Sequence, residues 1–120
     1  MPHIRIKRIY EPPASTDGYR VLVDRLWPRG MAKTDAAIHE WCKDIAPSAD
    51  LRRWFAHNAE RFDAFREAYL KELELHADEL ARLKAIGMKK TLTLLYAAKD
   101  PELNQARVLR EVLEQPEHVK

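Results

Sequence analysis

Residues 19–30 read YRVLVDRLWPRG, and the two ends of this stretch decide the fold. Val21, Leu22 and Val23 form a run without a polar face, the pattern of a strand covered on both sides. Tyr19–Leu26 is therefore expected to be an interior strand, stopped by Pro28 and Gly30. The run empties into Asp24, Arg25, Trp27 and Arg29. Ligands of open α/β sheets bind beyond the carboxyl ends of the strands, so this segment marks a candidate site.

Upstream, His3–Tyr10 begins with alternation, Ile4 and Ile6 against Arg5 and Lys7, as in a half-buried strand. Glu11–Gly18 (EPPASTDG) is turn chemistry throughout. That connector is short for a helical crossover, and it leaves open whether the first strand runs parallel or antiparallel to the second.

Downstream, Asp35 is positioned to cap a short helix, Ala36–Asp44, with Ile38 and Trp41 inward. Ser48 caps a second, Ala49–Ala56, with Leu51, Trp54 and Phe55 inward. Asn58 opens the longest helical pattern, whose apolar face runs from Phe62 through Phe65, Tyr69, Leu73 and Leu80 to Leu83. A break is expected near His76–Asp78, and a stop at Gly87. Thr91–Ala97 (TLTLLYA) reads as a third strand. Asp100-Pro101 then has the form of a helix start for Pro101–Glu114.

The order strand, strand, helices, strand, helix predicts an α/β fold: a small, mostly parallel three-stranded sheet packed with about five helices. Residues 1–115 are expected to form a single domain, with 116–120 a frayed tail. The second and third strands, joined by a long helical crossover, should be parallel and right-handed.

Composition narrows the class. The 120 residues are 46% hydrophobic, with a net charge of +2 from 21 basic and 19 acidic side chains. Such a chain can bury a core without staples. The near-neutral balance argues against a dedicated binder of nucleic acid or membrane surface. Cys42 has no internal partner, which fits a reducing, cytoplasmic setting. No apolar run approaches a membrane span, and MPHIRIKRIY reads as a strand rather than a secretory signal.

The loop after the second strand and the one after the third, Ala97–Asp100, should open at one edge. Arg25, Arg29, Lys33 and Lys99 offer positive charge there, and the start of the last helix adds unpaired amides. Together they suit a phosphate or a carboxylate. Trp27 would supply a flat wall, and Tyr96 and Asn104 complete the expected ligand-binding set. Asp24 is the candidate acid/base, kept ionised by the adjoining guanidinium. His57 is a second catalytic candidate, because imidazole titrates near neutrality; a helix-end role is its competitor. Against the whole cluster stands a bland reading. Asp24 and Arg25 point to opposite faces of a strand, and either one can serve to tie down a loop.

His39 and Cys42 lie three apart, but no second ligand pair accompanies them. No metal and no cofactor are expected. The expected partner is a small anionic molecule, with neither a membrane nor a specific nucleic acid site; the residues do not give an oligomeric state.

Over Ile4–Leu113 the chain resembles the YeaO-like family, a bacterial group within domain of unknown function 488. The resemblance is carried by KRIYEPP, DGYRVLVDRLWPRG, WCKDIAPSADLR, FREAYLKEL and TLLYAAKDPELNQARVL. It implies a small α/β fold and no settled activity. In the broader group, a Cys and a Cys-His-Arg cluster lie around the last strand and helix, and close members carry Asn-His there. This chain has Leu95-Tyr96-Ala97 and Leu103-Asn104-Gln105 instead. The resemblance thus implies a binding or non-catalytic form of an ancestral enzyme.

Two functions stand side by side. One is a protein that binds a small phosphate- or carboxylate-bearing ligand at the strand ends, with enzymatic action on nucleotide-like metabolites left open. The other is a non-catalytic protein-interaction or regulatory module.

Overall fold

A computed structural model describes residues 2–115, so the expected tail 116–120 lies outside the described residues. Its sheet has four strands: β1 (Ile4–Arg8), β2 (Tyr19–Leu22), β3 (Glu40–Trp41) and β4 (Leu92–Tyr96). The spatial order is β1-β4-β2-β3 and every pairing is parallel. β4 occupies the interior, and all five of its residues are buried, as a strand covered on both faces requires.

β1 and β2 do not pair with each other; both pair with β4. The chain returns between them through Ile9–Gly18 without an α-helix. At roughly 3.3 Å per extended residue, that stretch is long enough to run back along a strand of five residues. Gly18 ends the return with φ of 65°, and a Cβ there would sit 2.2 Å from the Thr91 carbonyl oxygen. Only glycine tolerates both that dihedral and that approach. Beside it, the Tyr19 N–H donates to the same oxygen at 2.9 Å, which sets the register of β2 on β4.

The expectation of three strands and a helix over Ala36–Asp44 is corrected by β3. A single helical turn, α1 (Lys33–Ala36), ends at Ala37 in the left-handed region. The chain then pairs with the open edge of β2: His39 N–H donates to Arg20 O at 2.8 Å and Cys42 N–H to Leu22 O at 2.9 Å. An unpaired edge offers acceptors that a short, weakly periodic segment finds more readily than it nucleates a helix. Among the described residues four helices of seven residues or more remain rather than about five: α2 (Ala49–Phe55), α3 (Phe62–Leu73), α4 (Ala77–Lys89) and α5 (Gln105–Glu114).

Alternation along the strands divides the core. Val21, Val23, Leu92, Leu94 and Tyr96 pack with Phe65, Tyr69, Leu83 and Leu109 of the helices. Leu22 and Leu95 face the other way, with Ile9 and Ala36 and under Trp27 and Trp41. Ser48 caps α2 as expected, its hydroxyl accepting the Leu51 N–H at 3.2 Å. The long helical pattern breaks at a 3₁₀ turn, Glu74–His76. Gly87 does not stop α4; it lets the helix pass close to Ile4 and Pro2. The last helix starts later than Asp100-Pro101 suggests. Asp100 Oδ1 accepts the N–H groups of Glu102 and Leu103 in a turn, and the cap of α5 is Asn104, whose Oδ1 accepts the Arg107 N–H at 3.1 Å.

Candidate functional site

The loops after β2 and β4 open onto one cleft of about 870 Å³, closed on its third side by α2 and the start of α5. That volume falls within the range of small-molecule sites. Burial grades its lining. Phe55, Phe65, Asn104 and Gln105 are buried, Asp24 and Arg52 are half-buried, and Arg29, His57 and Lys99 are exposed. The interior thus holds apolar, amide and carboxylate groups, and Arg29 and Lys99 stand at its mouth.

Asp24 lies two residues past the end of β2, just after the last backbone bond to β4, Val23 N–H to Leu95 O at 3.0 Å. Its Oδ2 accepts the Ala97 N–H at 2.8 Å, and its Oδ1 accepts the side-chain amide of Gln105. The carboxylate therefore ties the end of β2 to the end of β4 and the first turn of α5. Burial pushes the Asp24 pKa up; the Ala97 N–H, the Gln105 amide and the nearby charges of Arg52 and His57 oppose this without cancelling it.

Arg25 does not keep Asp24 ionised, contrary to the expectation from their adjacency. Both residues lie beyond the end of β2, and the Arg25 guanidinium donates to Pro47 O at 3.0 Å and Ala46 O at 3.3 Å. It holds the loop before α2 and does not line the cleft. Lys33 is exposed on α1, and Tyr96 is 3% exposed in the core; the structure brings neither to the cleft. Trp27, Arg29, His57, Lys99 and Asn104 do line it. Trp27 is held as a wall by its indole N–H, which donates to Met31 O at 2.7 Å, and by edge contact with Trp41 at 5.3 Å. Asn104 is occupied at both ends: besides capping α5, its amide donates to Asp100 O at 2.8 Å.

The sequence reading missed Arg52, Arg53, Phe65 and Gln105 as lining residues. It placed Trp54 inward on α2, yet Trp54 is 44% exposed and lies under the Arg61 guanidinium. On a helix of seven residues the inward face is set by what lies opposite. Here one turn of α2 faces a cleft instead of core, which brings Arg52 into the lining together with Asp24.

Glu40, Cys42 and Glu79 each offer one ligand atom within 4.8 Å of the others. Arg82 donates to both glutamates, and the Cys42 thiol donates to Glu79 at 3.2 Å. Burial and the Glu79 carboxylate push that thiol up to about 12, so it is a poor nucleophile near neutral pH. His39 is engaged elsewhere: its Nδ1 accepts the Arg20 N–H at 3.0 Å, and its ring stacks on Tyr19.

Because the native carboxyl of Asp24 titrates above its ordinary value of 3.8, the folded state holds its proton more tightly than the unfolded chain. Stability is therefore lost as pH rises from the ordinary carboxyl range through the raised value. Asp24→Asn keeps an oxygen for the Ala97 N–H and removes the charge. The variant is expected to gain on the wild type in thermal unfolding as pH increases from about 4 to about 8, with no advantage at the acid end. A pH-independent difference would contradict this.

No helix among the described residues is long and apolar enough to cross a membrane. No solved structure matches the chain. The protein is 50% identical to the uncharacterized protein YeaO of Escherichia coli (strain K12) over 111 residues, covering 92% of this chain and 96% of that one. It is 42% identical to the uncharacterized protein Rv3073c of Mycobacterium tuberculosis (strain H37Rv) over 110 residues, 92% of each. A family model described as the inactive DUF488-N3 subclade matches residues 3–120. This chain belongs to that subclade, a YeaO-like branch of domain of unknown function 488.

Proposed function

We propose that this chain binds a small organic anion, carrying a phosphate or a carboxylate, in the cleft at the carboxyl ends of β2 and β4, and that it binds without turning the ligand over. The observation that carries the reading is the convergence of Arg29, Arg52, His57 and Lys99 from three separate segments on one apolar-walled cleft. None of these four side chains takes part in an ion pair among the described residues. Arg29, Arg52 and Lys99 outnumber the two carboxylates of the lining, Asp24 and Asp100, and a cleft with that excess of positive charge attracts an anion. A guanidinium also grips a carboxylate or phosphate with two parallel hydrogen bonds. Binding rather than turnover is supported by the description of the subclade as inactive.

Titration calorimetry with inorganic phosphate and with benzoate tests the reading. Arg52→Ala and Arg29→Ala should each weaken binding by about tenfold or more, the scale of one charge-assisted hydrogen bond of about 1.5–3 kcal/mol. Arg66→Ala is the control, because Arg66 pairs with Glu111 and does not line the cleft. Absence of binding by both anions, or equal losses in all three variants, would sink the proposal.

A further inference from the structure

Asp24 is a poor fit to a site for anions alone. It lines the cleft from within, below the exposed Arg29 and Lys99, where its charge would repel an anion that reached it. The two donors it has are both neutral, a backbone amide and a carboxamide. Among the described residues it belongs to no ion pair. A carboxylate has room for about four hydrogen bonds, and Asp24 accepts two. The buried rings of Phe55 and Phe65 stand in the same cleft and offer the acid no donor. Charge taken out of water and hydrogen-bonded only by neutral dipoles is costly, and the nearby charges of Arg52 and His57 do not offset that cost.

We infer that the ligand is bipolar: an anionic group held at the mouth by Arg29 and Lys99, an apolar or aromatic body against Trp27 and Phe55, and a hydrogen-bond donor, cationic or neutral, that meets Asp24 at depth. The inference rests on the anion reading above and narrows its ligand class, from any small anion to molecules with a donor at the end opposite the acid. Asp24 is then a specificity residue. It rejects ligands with acid at both ends and favours those whose inner end carries N–H. Gln105 and Ala97 orient the carboxylate by occupying one lone pair on each oxygen, which leaves the remaining acceptor sites to face the ligand.

Two probes of nearly equal shape separate the possibilities. In 4-(aminomethyl)benzoate a rigid ring carries carboxylate at one end and ammonium at the other; 4-ethylbenzoate replaces the ammonium by methyl. At fixed salt and neutral pH, the wild-type protein should bind the first at least tenfold more tightly, as read by calorimetry or by nuclear magnetic resonance titration. In Asp24→Asn, with folding verified from its unfolding curve, the preference should collapse toward parity while 4-ethylbenzoate binding is retained or improved. Equal affinity of the wild type for the two probes overturns the inference and leaves the anion reading intact. Failure of both probes and of inorganic phosphate overturns the anion reading, and the inference with it. The wild-type comparison decides the matter even if the variant does not fold.

Discussion

Asp17→Asn is expected to lower the free energy of unfolding by about 3–5 kcal/mol, the scale for removing one partner of a buried ion pair. Asp17 has no exposed surface, and Arg20 is only 3% exposed. One carboxylate oxygen of Asp17 accepts from the Arg20 guanidinium, from Lys7 Nζ at 3.0 Å and from the Ala14 N–H at 3.0 Å. Arg20 in turn donates to Ala36 O at 2.8 Å and Ala37 O at 3.0 Å. Asp17 therefore balances the charge that fastens α1 to β2, and without it Arg20 is left buried and uncompensated. An asparagine keeps the shape but not the charge. For a domain whose whole stability is of order 5–15 kcal/mol, the midpoint of thermal unfolding should fall by on the order of 10–20 °C.

The pH dependence of this effect has a definite sign. Burial raises the Asp17 pKa, but the Ala14 N–H, Lys7 and Arg20 outweigh it and hold the carboxyl below its ordinary value of 3.8. Its stabilisation is therefore complete above that value and is lost as pH falls through the native pKa. The gap between wild type and Asp17→Asn should be widest near neutrality and should close in acid. Urea unfolding at a series of pH values checks this. A neutral-pH loss below about 1 kcal/mol would place the pair with exposed ion pairs instead.

Phe65→Ala is expected to cost about 3–5 kcal/mol as well, by a different route. Phe65 is 1% exposed. It stacks on Phe55 at 4.4 Å and on Tyr69 at 5.8 Å, with Phe62 at 5.9 Å. Truncation deletes those contacts and leaves a void that the helices fill only in part. Because Phe65 also lines the cleft, the void should join it, so affinity for an aromatic anion should fall while affinity for inorganic phosphate is spared. Denaturant unfolding with parallel titrations of benzoate and phosphate measures both effects. A loss below about 1 kcal/mol would mean that α3 moves in to refill the space.

The two most buried strands were legible because their apolar runs have no other use. Val21–Val23 and Leu92–Tyr96 form the middle of the sheet, and the loops that follow them do share a cleft. β3 was not legible. A two-residue strand has no period of its own, and the spacing of Ile38 and Trp41 suits a helix equally well. The start of the last helix was misplaced because Asp100-Pro101 is the strong local signal; it formed a turn, and the helix began after it with Asn104 as cap. Among the site residues, Arg25 and Arg29 are alike in sequence, and they part company in the fold. One reaches the carbonyls before α2, and the other stands at the mouth of the cleft.

From the chain alone came the α/β class, the parallel relation of the two central strands and the position of the acid-bearing loop, since each follows from which residues must leave water. Tertiary structure alone decided that β1 pairs with β4 rather than β2, that Arg52 joins Asp24 in the cleft lining, and that Arg25, Lys33 and Tyr96 stay out of the cleft. Periodicity encodes whether a side chain faces apolar surroundings. Where a long polar side chain finds its partner depends on backbone far away in the sequence, and no local pattern carries that information.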